Sequence, residues 1–209
     1  NIRPLPNNVL TLSPTIYWQR NWDHYQWKRG MTGGNKGENY HRTDVYGGAL
    51  NTVLNWALGK TALGVDLRKE LIYSTAYGET LPAHQWKTIH GSDRMYERRG
   101  ERTNTSLFLE HNVVLQHFTL SAGLLANHNT WLSGGLHFYP GVDLAWRPNA
   151  QWKVFASWNK ALRLPTYTDL YISNRAQMGD QNLNPERVNT YKLGARYRTT
   201  ALQTQVNAF

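Results

Sequence analysis

The chain has 209 residues, room for one or two domains, with a net charge of +9, a mean hydropathy of −0.61 and an aromatic fraction of 12% that includes nine Trp and twelve Tyr. Cysteine is absent, which excludes a disulfide framework and a thiolate metal site, and no run approaches the roughly 18 apolar residues of a transmembrane helix. The basic balance admits nucleic acid, an acidic ligand or an anionic membrane surface as partner and does not choose among them.

Apolar and polar residues alternate along most of the chain, and because successive strand side chains point to opposite faces, this predicts strands wet on one side only. Leu10, Leu12, Pro14, Ile16 and Trp18 share the first apolar face, against Thr11, Ser13, Thr15, Tyr17 and Gln19. A Gly/Asn/Lys loop at 30–39 follows. Tyr46, Leu50, Leu54 and Trp56 then lie opposite Gly47, Asn51 and Asn55, and Gly59-Lys60 marks a tight turn. The next strand puts Leu63, Val65, Leu67, Leu71 and Tyr73 on one face, interrupted by Lys69, and Asp66, Arg68 and Glu70 on the other. A polar segment at 78–102 reads as a long loop. Leu107, Leu109, Val113 and Leu115 oppose Phe108, Glu110 and Asn112; Phe118, Leu120, Ala122, Leu124 and Ala126 oppose Thr119, Ser121 and Gly123. Phe138, Val142, Leu144 and Trp146 oppose His137, Gly141 and Asp143, and Pro148-Asn149-Ala150 turns the chain into a strand at 152–158. After a polar run at 159–186, alternation resumes at Tyr191–Tyr197 and again with Leu202, Val206 and Ala208. The pattern amounts to about nine strands and no convincing helix.

Short connections (near 58–60, 116–117, 148–150 and 199–200) alternate with long ones (near 28–40, 76–102, 128–135 and 159–187). In an up-and-down meander that places every short turn at one rim and every long loop at the other. Apolar-out, polar-in alternation with Trp and Tyr toward strand ends belongs to an outer-membrane β-barrel, where strands must pair around a ring because lipid cannot satisfy backbone N–H and C=O groups. The expected fold is therefore all-β, an antiparallel up-and-down meander of about nine long strands forming part of a transmembrane barrel. A soluble sandwich or lectin-like domain carries the same alternation, but its strands average about 5–6 residues, shorter than these. A nucleic-acid reader is disfavoured because the basic residues are dispersed and no RRM or KH pattern is present.

Val154-Phe155-Ala156-Ser157-Trp158-Asn159-Lys160-Ala161-Leu162-Arg163-Leu164-Pro165-Thr166-Tyr167-Thr168-Asp169-Leu170-Tyr171, followed by Asn182-Leu183-Asn184-Pro185-Glu186, resembles a barrel segment of TonB-dependent outer-membrane receptors. In that family a strand ending in an R-x-P element leads into a long extracellular loop and then an N-x-x-L-x-PE-like element. Thr119-Leu120-Ser121-Ala122-Gly123 and the hairpin at 56–64 add to the likeness. The resemblance implies that residues 1–209 are one region, the central part of a barrel of about 22 strands, with the plug, the TonB box and further strands outside it. It also implies residence in the outer membrane of a Gram-negative bacterium, among lipid and lipopolysaccharide. The implied activity is uptake of a bulky, scarce ligand such as a cobalamin, a ferric siderophore or haem, driven by the TonB system acting on the plug.

No catalytic residue, metal ligand set, cofactor or nucleic-acid partner is expected. No HExxH, GxSxG or P-loop occurs, and Asp66 and Glu70 lie too far apart along an extended strand for a carboxylate pair. A passive porin or a barrel enzyme is the alternative within the same fold. Candidate ligand contacts are the loop aromatics and bases His84, Trp86, His90, Arg94 and Tyr96, and Arg163, Tyr167, Tyr171 and Arg175. Aromatic faces suit flat or catecholate ligands and Arg suits anionic groups. The bland reading is that loop aromatics pack their own loop and rim bases face lipopolysaccharide phosphates. Arg68, Glu70, Lys192 and Arg196 are expected to brace one another or the plug.

Overall fold

The computed structural model describes residues 2–5, 9–30, 37–132, 135–174 and 176–209. Its strands are β1 (Leu10–Gln26), β2 (Glu38–Trp56), β3 (Gly59–Ser74), the two-residue β4 (Glu79–Thr80), β5 (Lys87–Thr88) and β6 (Met95–Tyr96), β7 (Arg98–Val114), β8 (Phe118–Asn129), β9 (His137–Trp146), β10 (Trp152–Arg163), β11 (Glu186–Arg198) and β12 (Gln203–Ala208), with one short helix, α1 (Tyr167–Tyr171). The main sheet runs β1-β2-β3-β7-β8-β9-β10-β11-β12, each strand antiparallel to its sequence neighbour in that path, and β4 extends the other edge of β7. The nine-strand meander is the one the alternation predicts.

Register fixes the two faces. One row reads Pro14, Leu50, Val65, Leu107, Ala126 and Phe138 across six strands; the adjacent row reads Ser13, Asn51, Gly64, Phe108, Leu125 and Tyr139. The first belongs to a continuous apolar band, the second to a face that is polar with a few rings. Among the described residues no second layer covers the band: Ile16, Leu67 and Val206 remain 92%, 53% and 72% exposed. A sandwich would bury that face under a second sheet, and among the described residues the only other sheet is the hairpin β5–β6. The band is a lipid-facing surface.

The opposite, lumen-facing side solves its own packing problem. Rings on this face lie over cross-strand glycines, Tyr17 on Gly47, Phe108 on Gly64 and Phe155 on Gly194; a Cβ at these glycines would fall 2.0, 2.0 and 2.4 Å from the ring. Strand glycine is otherwise unfavourable, so a close approach of this kind is its physical reason. Of the charges expected to brace one another here, Arg68 pairs with Glu70 at 2.8 Å, whereas Arg196 donates to Gln205 and Lys192 sits over the Phe155 and Phe209 rings.

Three expectations need correction. The strands run further toward the long-loop end than the alternation suggests: β2 begins at Glu38, β7 at Arg98, β10 continues to Arg163 and β11 starts at Glu186. At about 3.3 Å per residue the 17–19 residues of β1, β2 and β7 exceed the ~9–11 needed to cross a bilayer, and the excess mixes polar and aromatic side chains on both faces, such as Trp22 and Asp23 of β1 and His41 and Arg42 of β2, so that the period-2 signal is lost there. The segment read as helix-free contains α1. The loop at 75–97 contains the short strands β4, β5 and β6. Buried side chains accordingly gather at this end, Ile72, Tyr73, Ile89, Tyr96, Tyr139, Tyr167 and Leu170 among them, because there the loops, and not lipid, cover the sheet.

Candidate functional site

The long loops define the site, and they take opposite sides of the wall. The loop at 164–185 folds onto the lumen face. Thr166 starts α1 with a reciprocal cap: its N–H donates to Asp169 Oδ2 at 2.8 Å and its Oγ1 accepts from the Asp169 N–H at 3.1 Å. Arg163, the last residue of β10, donates from Nε and Nη2 to the two oxygens of Glu186, the first residue of β11, at 2.9 and 2.5 Å, and from Nη1 to Asp169 Oδ2 at 3.2 Å. The guanidinium thus ties both loop stems to the helix cap.

The cap hydrogen bonds from Thr166, then Arg163, hold the Asp169 carboxyl below the usual carboxylate range, and Arg163 does the same to Glu186. A depressed carboxylate stabilises above its ordinary pKa and loses that contribution as pH falls through its lowered folded value. The cap is therefore intact at neutral pH and opens only in acid, below about pH 4. Thr166→Ala is expected to weaken α1 by about 1 kcal/mol at neutral pH. The readout is amide protection at Asp169 and Leu170, which should fall in the variant at pH 7 and in the parent only on strong acidification.

From this cap the chain reaches across the wall. Tyr167 and Leu170 are buried, and the Tyr167 ring lies over Gly100 of β7, where a Cβ would come within 2.7 Å of it. Arg102 of β7 holds the loop from below: Nη1 donates to Pro165 O at 2.8 Å and Nε to Glu70 Oε2 at 2.6 Å. Its guanidinium sits 5.0 Å from the Trp131 ring and 5.3 Å from the Tyr167 ring, and those two rings meet edge-on at 4.9 Å. Trp131, from the loop between β8 and β9, is fixed by Nε1–H donating to Glu101 O at 2.9 Å. Burial raises the Tyr167 phenol, which stays protonated. The result is an aromatic and cationic platform at the mouth of the lumen, beside an open cleft of about 560 Å³ lined by Arg163, Thr168, Ile172, Met178 and Leu183 among others.

The loop at 75–97 folds the other way. Ile89 and Tyr96 pack on Tyr73, with Leu71, Tyr40 and Leu81 around them, and Tyr73 and Leu71 belong to the outward row set of β3. Arg94 Nη1 donates to Glu38 O at 2.6 Å, and Trp86 Nε1 donates to Leu81 O at 2.9 Å. His84 and His90 are exposed in the same loop. The nine candidate residues therefore do not converge. His84, Trp86, His90, Arg94 and Tyr96 lie with the outer wall; Arg163, Tyr167 and Tyr171 lie on the lumen side; Arg175 falls outside the described residues. Sequence reasoning missed Arg102 and Trp131. Trp131 met the same loop-aromatic criterion as the others, whereas Arg102 was hidden in a segment read as loop. Among the described residues, no group of three or more His, Asp or Glu side chains could hold a metal ion.

A single antiparallel wall with an uncovered apolar outer face, short turns at one rim and folded loops at the other is part of a transmembrane β-barrel of the outer membrane of a Gram-negative bacterium. Residues 4–209 match the family model "TonB dependent receptor-like, beta-barrel", and the chain belongs to that family. Solved structures similar to it include a mutant ferric enterobactin receptor from Pseudomonas aeruginosa (18% identity, TM-score 0.63, 93% of this chain and 31% of that one). The FrpB iron transporter from Neisseria meningitidis aligns at 17% identity and TM-score 0.65 (94% and 32%), and the ferric citrate transporter FecA at 14% and 0.63 (97% and 32%). The chain thus spans about a third of the length of the structures it matches. No curated protein matches it significantly.

Proposed function

We propose that this wall belongs to a receptor that imports a bulky, scarce ligand through the outer membrane by TonB-driven transport, with a ferric chelate as the first candidate and cobalamin or haem as the others, and with no covalent chemistry at the barrel. Family membership supports the transport class, and the three similar structures are named for iron or ferric ligands. The observation that carries the reading to particular residues is the inward-folded loop, which is anchored on Arg102, Trp131 and Tyr167 and leaves an open cleft lined by Arg163, Thr168, Ile172 and Met178. Rings and a guanidinium suit an anionic, aromatic chelate. In this proposal Arg163, Tyr167 and Tyr171 shape the ligand mouth, while His84, Trp86, His90, Arg94 and Tyr96 position the outer loop. The remaining strands and a plug complete the path in the whole protein.

The test is uptake of radiolabelled ferric siderophores, ferric citrate, haem and cyanocobalamin by cells with and without the intact gene, each with and without an active TonB system. Gene- and TonB-dependent uptake of one of these ligands is the expected result. A gene-dependent but TonB-independent leak of small solutes would replace the receptor by a passive pore.

A further inference from the structure

The lumen face carries a strand glycine that its own packing does not explain. Gly47, Gly64, Gly100 and Gly194 lie beneath rings, and Gly141 lies beneath the Asn159 amide, whose Oδ1 is 2.2 Å from where a Cβ would stand. Gly123 of β8 is different. A Cβ there would meet nothing closer than 3.5 Å, which is ordinary van der Waals contact. A strand glycine left open in this way marks a place where something from outside the strand comes close to the backbone.

Gly123 floors a recess of about 220 Å³. Its row runs Glu110, Gly123, Gly141 and Asn159 across β7, β8, β9 and β10. The row toward the long loops contributes the Phe108 and Tyr139 rings, and the row toward the short turns contributes Ser121 and Asp143. Tyr139 is 4% exposed, and its hydroxyl has no hydrogen-bond partner among the described residues. Glu110 accepts from Ser121 Oγ at 2.8 Å, but neither Glu110 nor Asp143 forms an ion pair among the described residues. Lys60 and Lys192 stand at the two ends of the Ser121–Asp143 row, the latter over the Phe155 and Phe209 rings. Lys160 borders the recess from a position of outward parity on β10. Two carboxylates lining one small recess disfavour each other's charge unless a cation joins them. Ring faces beside them suit an organic cation, and the residues present do not form a metal-ligating group.

We propose that this recess binds a basic arm of the imported ligand, an ammonium or guanidinium group held by Glu110 and Asp143 against the Phe108 and Tyr139 rings. The recess lies deeper in the lumen than the cleft at Arg163 and on the same strand. Asn159 stands four residues before Arg163 on β10, about 13 Å at ~3.3 Å per residue. The inference rests on the receptor reading above and narrows it. The ligand is a ferric chelate whose metal-binding head fits the cleft and whose amine or guanidine arm spans that distance.

The test uses the full-length protein in mild detergent and equilibrium dialysis of two ferric chelates, a catecholate and a hydroxamate. Each is prepared with a free alkylamine arm and, as its twin, with that amine acetylated. An exposed ion pair contributes up to about fivefold, so with two carboxylates the free amine should bind about tenfold tighter than its twin for at least one head group. Glu110→Gln/Asp143→Asn should abolish that advantage and leave the acetylated twin bound as before. Gly123→Val, which fills the recess without changing charge, should do the same. Heat-modifiable gel migration reports assembly, and Glu110→Gln alone, which keeps an acceptor for Ser121, should lose part of the advantage should the double variant assemble poorly. Equal binding of both twins by the parent would leave the receptor reading standing and overturn the recess, as when a basic side chain of the whole protein fills it. An advantage that survives both the charge variant and Gly123→Val, or an equal loss of both twins in them, would also overturn it. Failure of every chelate to bind would overturn the ferric-chelate reading and this inference together.

Discussion

Arg102→Ala should release the inward loop while leaving the barrel wall assembled. Four contacts end on this side chain: the 2.6 Å ion pair to Glu70, the 2.8 Å hydrogen bond to Pro165 O, and the faces of Trp131 and Tyr167. The guanidinium and the Glu70 carboxylate are both largely shielded, with side-chain exposures of 14% and 11%. Removing one partner of such a pair strands a poorly hydrated charge, which costs about 3–5 kcal/mol when the pair is fully buried. Arg68 still holds Glu70 at 2.8 Å, which lowers the expected cost to about 2–3 kcal/mol. The wall keeps its ladder of backbone hydrogen bonds, so the loss falls on the loop. Hydrogen exchange and limited proteolysis at 164–174 should rise sharply, and ligand affinity of the full protein should drop with them. Arg102→Met combined with Glu70→Gln separates the causes, because it removes the stranded charge but not the missing clamp. Stability should largely return in the double variant, whereas loop protection should not. Recovery of both would mean that the Pro165 and ring contacts contribute little.

How much of this could be read from the chain follows from where water lies. Within the membrane band one face must be apolar and the other need not be, so Leu63, Val65 and Leu67 against Asp66 and Arg68 announce both strand and orientation. The alternating loop lengths then order the strands. Above the band both faces meet water, and period 2 vanishes: Arg98, Arg99, Gly100, Glu101 and Arg102 look like loop yet form the first turn-free stretch of β7. The side of the wall onto which a loop folds was not legible at all. Tyr96 and Tyr167 are both loop aromatics with an Arg within four residues, and one packs on outward Tyr73 while the other packs on inward Gly100. That choice depends on which strand residue leaves room, a cross-strand relation that no local pattern encodes. The helix α1 was legible in principle, since Pro165-Thr166-x-x-Asp169 is a cap sequence, but with five residues it carries no helical periodicity.

Gly100→Val isolates that relation. In a strand valine is preferred over glycine, by up to about 1 kcal/mol, so the substitution should leave the wall as stable as before or slightly more so. Its Cβ, however, would lie 2.7 Å from Tyr167 Cε1 and 3.1 Å from Ile72 Cγ2. The corresponding overlap at Gly47 is with the end of the Tyr17 ring, and Tyr17 can swing toward the open lumen, so Gly47→Ala should be mild. Tyr167 has no such freedom, held edge-on by Trp131 and faced by Arg102. Overpacking at a site that cannot yield costs about 1–3 kcal/mol, comparable with the whole stabilisation expected for a small docked loop, so the loop should leave the wall. Circular dichroism and heat-modifiable migration should be unchanged, protection at Leu170 should be lost, and ligand binding by the full protein should weaken at least as much as in Arg102→Ala. If Leu170 stays protected in Gly100→Val, the ring does not rest on β7, and the lumen mouth is shaped by something other than this loop.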